Sequence, residues 1–279
     1  MENQKNNQVN NQVNNNVKKI KLVVTDMDGT LLDDRKNMPP DFPEWVLNHP
    51  GIKTVIASGR QYYTLYEEFE KVEIADKLIY IAENGGLVVH GKNILYQNTL
   101  KKSEVREVFK RIENQDGVTA VLCGVSSAYL SENASEFVEK QARLYYRRLK
   151  FISKWTDCPE IESENIIKIA LYIDDYQAAN MIKNLRDLGG RLKSVVSGPD
   201  WIDIGAQEVN KGSALAAIQD FYKISQAESM GFGDYMNDYE FLARCGESYA
   251  MANACPEILN LTKYQTAANT EDGVMKILR

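Results

Sequence analysis

The sequence predicts an α/β fold: a parallel β-sheet covered by helices, interrupted by a second domain of mixed pattern. Short apolar, β-branched segments alternate with helical patterns in the first 86 residues, and the same alternation returns after about residue 205. The stretch between these two parts follows a different, strand-rich pattern. Strands that alternate with helices form parallel sheets with helices on both faces. At 279 residues the chain is long enough for two domains.

The predicted strands of the parallel sheet are short runs rich in β-branched residues. The first, Lys19–Thr25, reads KIKLVVT, the composition expected of a strand buried on both faces. The other strands of this kind are predicted at Ile52–Ala57, Lys77–Ala82, Ser229–Gly233 and Tyr249–Ala252, with helices at Gln61–Val72, Asn210–Tyr222 and Asp238–Arg244. Ligands of such sheets gather at the carboxyl ends of the strands, so the residues that directly follow them are the candidate functional residues.

Between these two parts the pattern changes. Leu87–Tyr96 is typical of a β-hairpin with Gly91 at its turn, and an amphipathic helix follows at Ser103–Asn114 with Ser103 as its N-cap. Further strands are predicted at Thr119–Cys123, Ala128–Ser131, Ile166–Ile173, Leu192–Val196 and Trp201–Ile204, and helices at Ser135–Leu149 and Gln177–Leu188. We therefore predict a core domain formed by residues 18–86 and 205–279, and an inserted α/β domain over residues 87–204.

The N-terminal segment, residues 1–17, is dominated by Asn and Gln, and NNQV, NNQV and NNNV follow one another in it. Its three valines offer too little apolar surface to offset the entropy of ordering the chain. We predict that this tail is disordered.

Charge and composition argue against several classes of function. The net charge is −6, so the molecule as a whole would repel nucleic acid and acidic membranes. An anionic substrate must then be held by local positive groups or a metal ion. No segment approaches the roughly 20 consecutive apolar residues of a membrane span, and the N-terminus lacks the apolar stretch of a secretory signal. The four cysteines form no CxxC pair, which favours reduced thiols and a cytoplasmic protein.

Two carboxylates, Asp26 and Asp28, follow the first predicted strand in the segment DMDGT. At about 4 Å and an effective dielectric constant near 20, they would repel each other by about 4 kcal/mol, which a divalent cation would offset. Oxygen ligands suit a hard ion such as Mg2+. Gly29 permits a tight turn here, and Thr30 adds a hydroxyl that can hold the loop. A solvated Asp-Gly turn is the alternative interpretation.

Polar residues suited to a phosphate group also follow the later strands. They are the hydroxyl, N–H and guanidinium of Ser58-Gly59-Arg60, the ammonium of Lys211 at the start of a predicted helix, and the carboxylate of Asp234 in GDYMND. Taken singly, each has an ordinary alternative: a helix N-cap for Ser58, a surface position for Lys211, and loop or capping chemistry for the acidic segment. Their occurrence together after predicted strands favours one site that binds phosphate and a metal ion.

These four segments, DMDGT, SGR, Lys211 and GDYMND, resemble in this order the four motifs of the haloacid dehalogenase-like hydrolases. The insertion resembles the type IIB cap of the Cof-like subfamily, and IAENGG at Ile81–Gly86 and the C-terminal AANTEDGVMKIL also resemble that subfamily. The resemblance covers the chain after about Lys18. It implies a Rossmann-like core under a mobile cap, and a Mg2+-dependent phosphatase that works through an aspartyl-phosphate.

By the family's pattern, Asp26 is the nucleophile that attacks phosphorus, and Asp28 protonates the leaving oxygen and then activates water. The resemblance implies that Mg2+ is held by Asp26, the backbone carbonyl of Asp28, and Asp234. The groups expected at the substrate phosphate are Met27, Ser58, Gly59, Lys211 and Asn237, of which Ser58 and Lys211 are also expected to be catalytic, with Thr30, Arg60, Asn84 and Asp238 in supporting positions.

Other enzyme classes fit the sequence poorly. It contains only two histidines, His49 before a Pro-Gly turn and His90 in the hairpin, and no GxSxG, P-loop, or Cys with an Arg six residues on. A non-catalytic sensor on the same scaffold would be expected to lack one of the motif carboxylates, and all are present. A phosphomutase would share Asp26 and Asp28, but the resemblance of the cap argues against it.

The expected partner is a small phosphorylated molecule, and the protein is expected to be a monomer or a weak homo-oligomer. Polar residues and the tyrosines of the insertion, Tyr129, Tyr145 and Tyr146, suit hydroxyl-rich sugars. Relatives with this type of cap favour sugar phosphates, with pyridoxal phosphate and flavin mononucleotide as alternatives. A basic run, Arg143, Arg147, Arg148 and Lys150, could steer anions or form a solvated helix face.

Overall fold

The structure, a computed structural model, describes residues 20–112, 115–153, 162–174, 178–185 and 188–279. The tail predicted to be disordered lies outside these residues. The described chain forms two units: the first comprises the residues up to Gly59 with Tyr66–Tyr96 and Asn210–Arg279, and the second comprises Arg60–Leu65 with the described parts of Gln97–Val209. The α/β fold class predicted from the sequence is confirmed.

The first unit is built on an eight-stranded sheet. Its strands are β1 (Leu22–Asp26), β2 (Lys53–Ala57), β3 (Ile79–Ala82), β4 (Leu87–His90), β5 (Asn93–Gln97), β12 (Ser229–Gly233), β13 (Glu247–Ala250) and β14 (Tyr264–Gln265). They lie in the order β14-β13-β12-β1-β2-β3-β4-β5. The pairs from β14 to β3 are parallel, and β3 pairs with β4 in the antiparallel direction.

Strand β1 lies inside this sheet, and its burial explains its sequence. All five residues of β1 are buried, as expected for a parallel strand covered on both faces. Leu22 pairs with Lys53 of β2 and with Ser229 of β12. Because these neighbouring strands run in the same direction, the residues that follow β1, β2 and β12 leave the sheet at the same edge.

The helices of the first unit contribute to its apolar core together with the sheet. One of these helices is shared with the second unit. They are α1 (Phe42–Asn48), α2 (Tyr62–Glu70, shared with the second unit), α6 (Lys211–Tyr222), α7 (Tyr239–Leu242), α8 (Pro256–Leu261) and α9 (Gly273–Leu278). Leu215 and Ile218 of α6 and Phe241 of α7 are buried in one cluster with Val24 and Val55 of the sheet. Burial of each such side chain contributes about 1.5–3 kcal/mol.

The second unit contains a six-stranded sheet in the order β10-β11-β9-β6-β7-β8. Its strands are β6 (Val118–Gly124), β7 (Ala128–Ser131), β8 (Leu149–Ile152), β9 (Ile166–Ile173), β10 (Leu192–Gly198) and β11 (Trp201–Ala206). Its described helices include α3 (Lys102–Ile112), α4 (Glu136–Tyr145) and α5 (Ala178–Met181). One apolar cluster includes Val105 and Val108 of α3, and a second includes Val138 and Ala142 of α4. Within the described residues, no helix of either unit is long and apolar enough to span a membrane.

Helix α3 corrects one capping prediction. It begins at Lys102, so Ser103 lies inside its first turn and is not the N-cap. The N–H of Lys101 instead donates to Glu104 Oε2 at 2.7 Å. A carboxylate three residues along the chain therefore satisfies the backbone at this helix start, where the serine was expected to do so.

Helix α4 is shorter than predicted. Ser135 caps it as the sequence indicates, with its Oγ accepting the Val138 N–H at 3.3 Å. The helix ends at Tyr145, and Leu149, the last residue of the predicted helix, begins β8, which pairs in parallel with β7. The helical spacing of apolar residues continues into β8, so only the pairing with β7 decides that this segment is a strand.

The boundary of the insertion also differs from the predicted one. The hairpin Leu87–Tyr96, expected to open the inserted domain, forms β4 and β5 and extends the sheet of the first unit. Val88 lies in the apolar core of that unit. Gly91 has φ +58 at the turn, as the hairpin prediction requires. Alternation within a hairpin indicates its strands but not the sheet that they join.

Candidate active site

The predicted nucleophile, Asp26, is the last residue of β1 and lies at the edge where β1, β2 and β12 end. It is buried, with 6% of its surface exposed. The chain then turns through Gly29, which adopts φ +85, a conformation open to glycine at little cost. The side chain of Asp28 is 36% exposed and accepts a hydrogen bond from Lys36 Nζ at 2.8 Å. The two carboxylates of DMDGT therefore lie in different environments, one buried and one facing solvent.

Asp234 lies against the turn at Gly29. Thr30 Oγ1 donates a hydrogen bond to Asp234 Oδ1 at 2.7 Å. A Cβ atom at position 29 would lie 2.5 Å from Asp234 Oδ2, so glycine is needed here for space as well as for the turn. Burial raises the pKa of Asp234 to about 6; the hydrogen bond from Thr30 opposes this rise and the negative charge of Asp238 adds to it.

Lys211 is the buried cation of the site. It is the first residue of α6, whose N-cap Asn210 accepts the Ser213 N–H at 2.7 Å. Its Nζ donates to Asp26 Oδ1 at 2.5 Å and to Asp238 Oδ1 at 2.7 Å, and the residue is only 1% exposed. Burial by itself lowers the pKa of Lys211, but attraction to the two carboxylates outweighs burial and raises the pKa above its ordinary value. The alternative of a surface lysine is wrong.

Asp238 has no exposed surface, and both of its oxygens accept hydrogen bonds. Oδ1 accepts from Lys211, and Oδ2 accepts from the backbone N–H groups of Asp234 and Tyr235 at 3.0 and 3.2 Å. Asp238 thus holds the ammonium of Lys211 and closes the loop that carries Asp234. The supporting role expected for Asp238 stays a prediction, and these contacts are compatible with it.

The carboxylates at this edge form a group suited to a metal ion. Oxygens of Asp26, Asp234 and Asp238 lie within 4.8 Å of one another. Burial, followed by the charge of Asp238, raises the pKa of Asp26 well above its ordinary value, and Lys211 offsets this only in part. Three carboxylates around one lysine leave an excess of negative charge, which a divalent cation would neutralise.

The donor set of this group fits a hard cation such as Mg2+, because every candidate ligand atom is an oxygen. Since both oxygens of Asp238 are engaged, Asp26 and Asp234 are the side chains placed to hold the ion. The side chain of Asp28 is not a member of the group. Its expected contribution comes from its backbone carbonyl, so the exposed position of its carboxylate is compatible with that expectation.

Ser58 and Gly59 follow β2 and are linked to the turn after β3. Ser58 is 3% exposed; its N–H donates to the Ile81 carbonyl at 2.8 Å, and its own carbonyl accepts the Asn84 N–H at 3.0 Å. A Cβ atom at Gly59 would lie 2.9 Å from Asn84 Nδ2. Asn237 Nδ2, from the loop after β12, donates to Asn84 Oδ1 at 3.3 Å. Residues predicted at the phosphate from two different loops are thereby connected through Asn84.

Two residues predicted for the site are placed differently from this group. The side chain of Met27 is fully buried, so only its backbone N–H could meet a phosphate; its carbonyl accepts the Leu32 N–H at 2.9 Å. Arg60 belongs with the following residues to the second unit, although it is adjacent in sequence to Gly59.

Two asparagines that the motifs do not include hold the loop after the nucleophile. Asn253 Nδ2 donates to the Gly29 carbonyl at 2.8 Å, and Asn253 Oδ1 accepts the Asn269 N–H at 3.0 Å. Asn269, only 5% exposed, also donates to the Leu32 carbonyl at 3.0 Å. These residues follow β13 and β14, so no local pattern links them to DMDGT. The one available signal was the position of Asn269 in AANTEDG.

The tyrosines of the second unit correct part of the substrate prediction. Tyr129 is 2% exposed and donates to Glu164 Oε2 at 2.8 Å. Tyr146 is 5% exposed, and its hydroxyl lies 3.3 Å from Cys123 Sγ. Both belong to the apolar core of this unit. Of the three tyrosines considered for sugar binding, only Tyr145 is exposed.

The basic run of the second unit is exposed throughout, at Arg143, Arg147, Arg148 and Lys150. Arg143 pairs with Glu139 one helical turn earlier, at 2.8 Å. The guanidinium of Arg148 lies 3.4 Å from the centre of the Tyr63 ring. For Arg143, the contact is that of a solvated helix face.

A model of the haloacid dehalogenase-like hydrolase family matches residues 23–278. The 5-amino-6-(5-phospho-D-ribitylamino)uracil phosphatase YbjI of Escherichia coli strain K12 is 32% identical over 263 residues, which are 93% of this chain and 95% of that protein.

Solved structures show the same architecture. SMU.1108c from Streptococcus mutans UA159 is 27% identical and superposes with a TM-score of 0.79, covering 93% of this chain and 97% of that one. The haloacid dehalogenase subclass IIB sugar phosphatase BT4131 superposes with a TM-score of 0.71 at 22% identity, covering 92% of this chain and 96% of that one. At that identity, the likeness to BT4131 concerns the fold alone.

Proposed function

Because the chain belongs to the haloacid dehalogenase-like hydrolases and is a phosphatase of their Cof-like branch, we propose that it is a Mg2+-dependent phosphatase of small phosphomonoesters. We propose further that it works through an aspartyl-phosphate at Asp26. One observation carries this proposal. Asp26 is buried at the end of β1, hydrogen-bonded to the ammonium of Lys211 at 2.5 Å and grouped with the carboxylates of Asp234 and Asp238.

In the first step, a carboxylate oxygen of Asp26 attacks phosphorus, so that a bond between this oxygen and phosphorus forms and the ester P–O bond breaks. Asp28 gives a proton to the leaving oxygen. In the second step, Asp28 takes a proton from water, the water oxygen attacks phosphorus, and the bond to Asp26 breaks to release inorganic phosphate. Division of one displacement into two lowers the barrier of each.

The surrounding residues position and neutralise the reacting groups. Lys211 holds the Asp26 carboxylate in place and offers its charge to the phosphoryl oxygens. The Ser58 hydroxyl and the Asn237 amide are the further groups proposed to bind these oxygens. A Mg2+ ion held by Asp26, Asp234 and the backbone carbonyl of Asp28 would supply the positive charge that phosphoryl transfer requires. Asn253 and Asn269 keep the loop after Asp26 in one conformation. Positioning and charge neutralisation account for most catalysis of this reaction type.

For the substrate, we propose phosphate esters of sugars or sugar alcohols. The Escherichia coli relative is named for a compound whose phosphate is carried by a ribityl chain attached to uracil. A ribityl chain is a sugar alcohol, so this name supports a hydroxyl-rich substrate. Flavin mononucleotide carries the same chain on a larger ring system, and pyridoxal phosphate has no such chain, so the two alternatives test different parts of the proposal.

The experiment is a phosphate-release assay of the purified protein with Mg2+ against a panel. The panel contains hexose and pentose phosphates, 5-amino-6-(5-phospho-D-ribitylamino)uracil, pyridoxal phosphate and flavin mononucleotide, with Asp26→Asn as the inactive control. We expect the highest kcat/KM with a sugar or sugar-alcohol phosphate. We expect no phosphate release when Mg2+ is chelated. A kcat/KM at least about tenfold higher for pyridoxal phosphate than for every compound of the panel that carries a sugar or sugar-alcohol chain rejects the substrate class but leaves the phosphatase. The same preference for flavin mononucleotide rejects simple sugar phosphates and selects the flavin alternative.

Two further outcomes of the same assay would reject the proposed hydrolysis of phosphomonoesters itself. Transfer of the phosphoryl group to another position of a sugar, without release of inorganic phosphate, would make the protein a phosphomutase. A protein that binds Mg2+ and phosphorylated compounds but turns over none of them would be a sensor on the same scaffold.

A further inference from the structure

The turn formed by residues 33–37, here called the Asp33 turn, follows the DMDGT segment and is held together by the side chain of Asp33. Its Oδ1 accepts the N–H groups of Arg35 and Asn37 at 2.9 and 2.7 Å, and its Oδ2 accepts from Asn37 Nδ2 at 3.0 Å. The backbone closes the same turn, with Asp33 N–H donating to the Asn37 carbonyl and Lys36 N–H to the Asp33 carbonyl at 3.0 and 2.9 Å. Asp33 thus satisfies backbone N–H groups within the turn, as Asp side chains commonly do.

Within this turn, Lys36 adopts a backbone conformation that is uncommon for a residue with a side chain. Lys36 has φ +66, in the left-handed region that costs a residue with a side chain about 1–2 kcal/mol. Backbone strain of this kind is commonly found at functional sites. From this position Nζ of Lys36 donates to Asp28 Oδ1 at 2.8 Å. The strained turn therefore presents an ammonium to the carboxylate proposed to transfer the protons.

The turn is also tied to the body of the first unit. Asn269 Nδ2 donates to the Leu32 carbonyl at 3.0 Å and to Asp34 Oδ1 at 3.1 Å, and Asn269 is itself buried. The residues immediately before Lys36 are thus held from the far end of the chain. An ordinary exposed ion pair contributes little because both side chains must be ordered to form it. Here the backbone that carries the lysine is already held in place.

We propose that Lys36 is a positioning residue that holds the Asp28 carboxylate in the orientation used for proton transfer. The Asp33 turn positions Lys36 for this contact. The inference rests on the proposed function, since it assigns a role to Asp28 in phosphate-ester hydrolysis. Lys36 itself is not assigned to any bond that forms or breaks. Its contribution is geometric, and the effect of its removal should be seen in turnover and not in substrate binding.

The test compares Lys36→Met with Lys71→Met in the full chain. Lys71 is a matched control, because it also pairs with a carboxylate, Glu68, at 2.7 Å and is exposed to a similar degree, 63% against 57% for Lys36. Lys36→Met should lower kcat by about tenfold to a hundredfold with KM and Tm unchanged, and Lys36→Arg should restore most of the loss. Lys71→Met should match the unaltered protein.

Two additional measurements separate positioning from a general structural effect. With p-nitrophenyl phosphate the leaving group needs no proton, so Lys36→Met should show a burst of p-nitrophenolate followed by slow hydrolysis of the phosphoenzyme. In a double-mutant cycle, Asp33→Ala and Lys36→Met should lower kcat no more together than Lys36→Met alone.

The inference is overturned if kcat of Lys36→Met lies within about twofold of that of Lys71→Met, if Lys36→Arg is no better than Lys36→Met, or if the two effects of the cycle multiply. Failure of the unaltered protein to hydrolyse any phosphomonoester would instead overturn the proposed function. The two failures are therefore distinguishable.

Discussion

At the site, the buried charge of Lys211 is balanced by the carboxylates beside it, and this balance limits the repulsion between them. Lys211 is buried between Asp26 and Asp238, and its ammonium offsets part of the repulsion that raises the pKa of Asp26. Removal of one partner of a buried ion pair leaves the other charge buried without compensation. Lys211 is therefore a structural counter-charge as well as a candidate phosphate ligand.

Replacement of this counter-charge should destabilise the fold. Lys211→Met keeps the length of the side chain but leaves Asp26 and Asp238 without their shared counter-charge, and we expect a loss of about 3–5 kcal/mol in the free energy of unfolding at neutral pH. The loss should shrink at acidic pH, because Asp26, whose pKa is already raised by burial and by Asp238, then takes up a proton in the folded variant. Urea unfolding at two pH values measures both effects. Lys276→Met, at an exposed ion pair, is the control, and equal stability of the two variants at neutral pH would contradict the expectation.

The proposed nucleophile, Asp26, should be dispensable for folding but not for turnover. Asp26→Asn removes a buried carboxylate whose pKa is raised by burial and by its acidic neighbours, so the fold should be retained. Mg2+-dependent phosphate release should fall below about a hundredth of the original rate. Comparison with Asp220→Asn, at an exposed position of the same unit, controls for the loss of a carboxylate. Turnover above that level would show that another group attacks phosphorus.

At the scale of the elements, the site depends on how the turn after β3 meets the start of α6. The turn Glu83–Gly85 follows β3, and Gly85 has φ +104. A Cβ atom there would lie 2.1 Å from the carbonyl oxygen of Asn210. Because Asn210 is the N-cap of α6 and Lys211 is its first residue, this close approach fixes the position of the buried lysine.

Gly85→Ala should therefore be far more damaging than Gly91→Ala. Both glycines have positive φ, but a Cβ atom at Gly91 would meet nothing within 4 Å. We expect Gly91→Ala to lose about 1–2 kcal/mol from backbone strain alone, and Gly85→Ala to lose about 2–5 kcal/mol because the backbone of α6 must also move. Urea unfolding measures the difference. Phosphatase activity should fall in Gly85→Ala only, and equal losses in the two variants would show that α6 is not displaced.

Most strands were predictable from the sequence, whereas α1, α8, α9 and β14 lie where no element was predicted. Two further differences share a cause. β9 and β12 have their predicted bounds, because a buried strand needs a continuous apolar run that ends where the burial ends. β8 and the membership of the hairpin in the first sheet were missed. In both cases the deciding interaction is with a strand elsewhere, β7 for β8 and β3 for β4.

At the scale of the whole molecule, stability should depend on pH and on a divalent cation together. The pKa of Asp26 is raised, and that of Asp234 is raised to about 6. The stability contributed by such groups is present below the unfolded pKa, near 3.9, and is lost as pH rises through the folded pKa. Mg2+ would take the place of the protons at neutral pH.

We therefore expect Mg2+ to raise Tm by about 5 °C at about pH 7.5 and by less at about pH 5, where protons compete for the carboxylates. Differential scanning fluorimetry with and without a chelator measures the shift. Asp234→Asn should reduce the shift at the higher pH. A shift of the same size at both pH values, or none at either, would contradict a carboxylate site for the ion.

The N-terminal tail gives a second expectation for the whole chain. Deletion of residues 1–16 should change neither kcat/KM nor Tm appreciably, since an Asn- and Gln-rich tract has little apolar surface to bury. Parallel assays of the full and shortened chains measure this. A fall in Tm of more than about 3 °C would indicate that the tract packs on the folded part.

The sequence by itself determined the fold class and supplied the candidates for the catalytic groups. An apolar run followed by DMDGT, or by SGR, indicates a buried strand with polar residues at its end, and these are local properties of the chain. The order of the four motifs along the chain is enough to indicate the family.

Only the tertiary structure decided which of these groups meet. Lys211 donates to the carboxylate of Asp26, 185 residues earlier in the chain, and Asn269 donates to the carbonyl of Leu32, 237 residues earlier. It also decided that Tyr129 and Tyr146 are core residues and that Lys36 faces Asp28. Local pattern governs whether a segment can be a strand or a helix, but the contacts between distant segments depend on how those elements pack, and packing is a property of the whole fold.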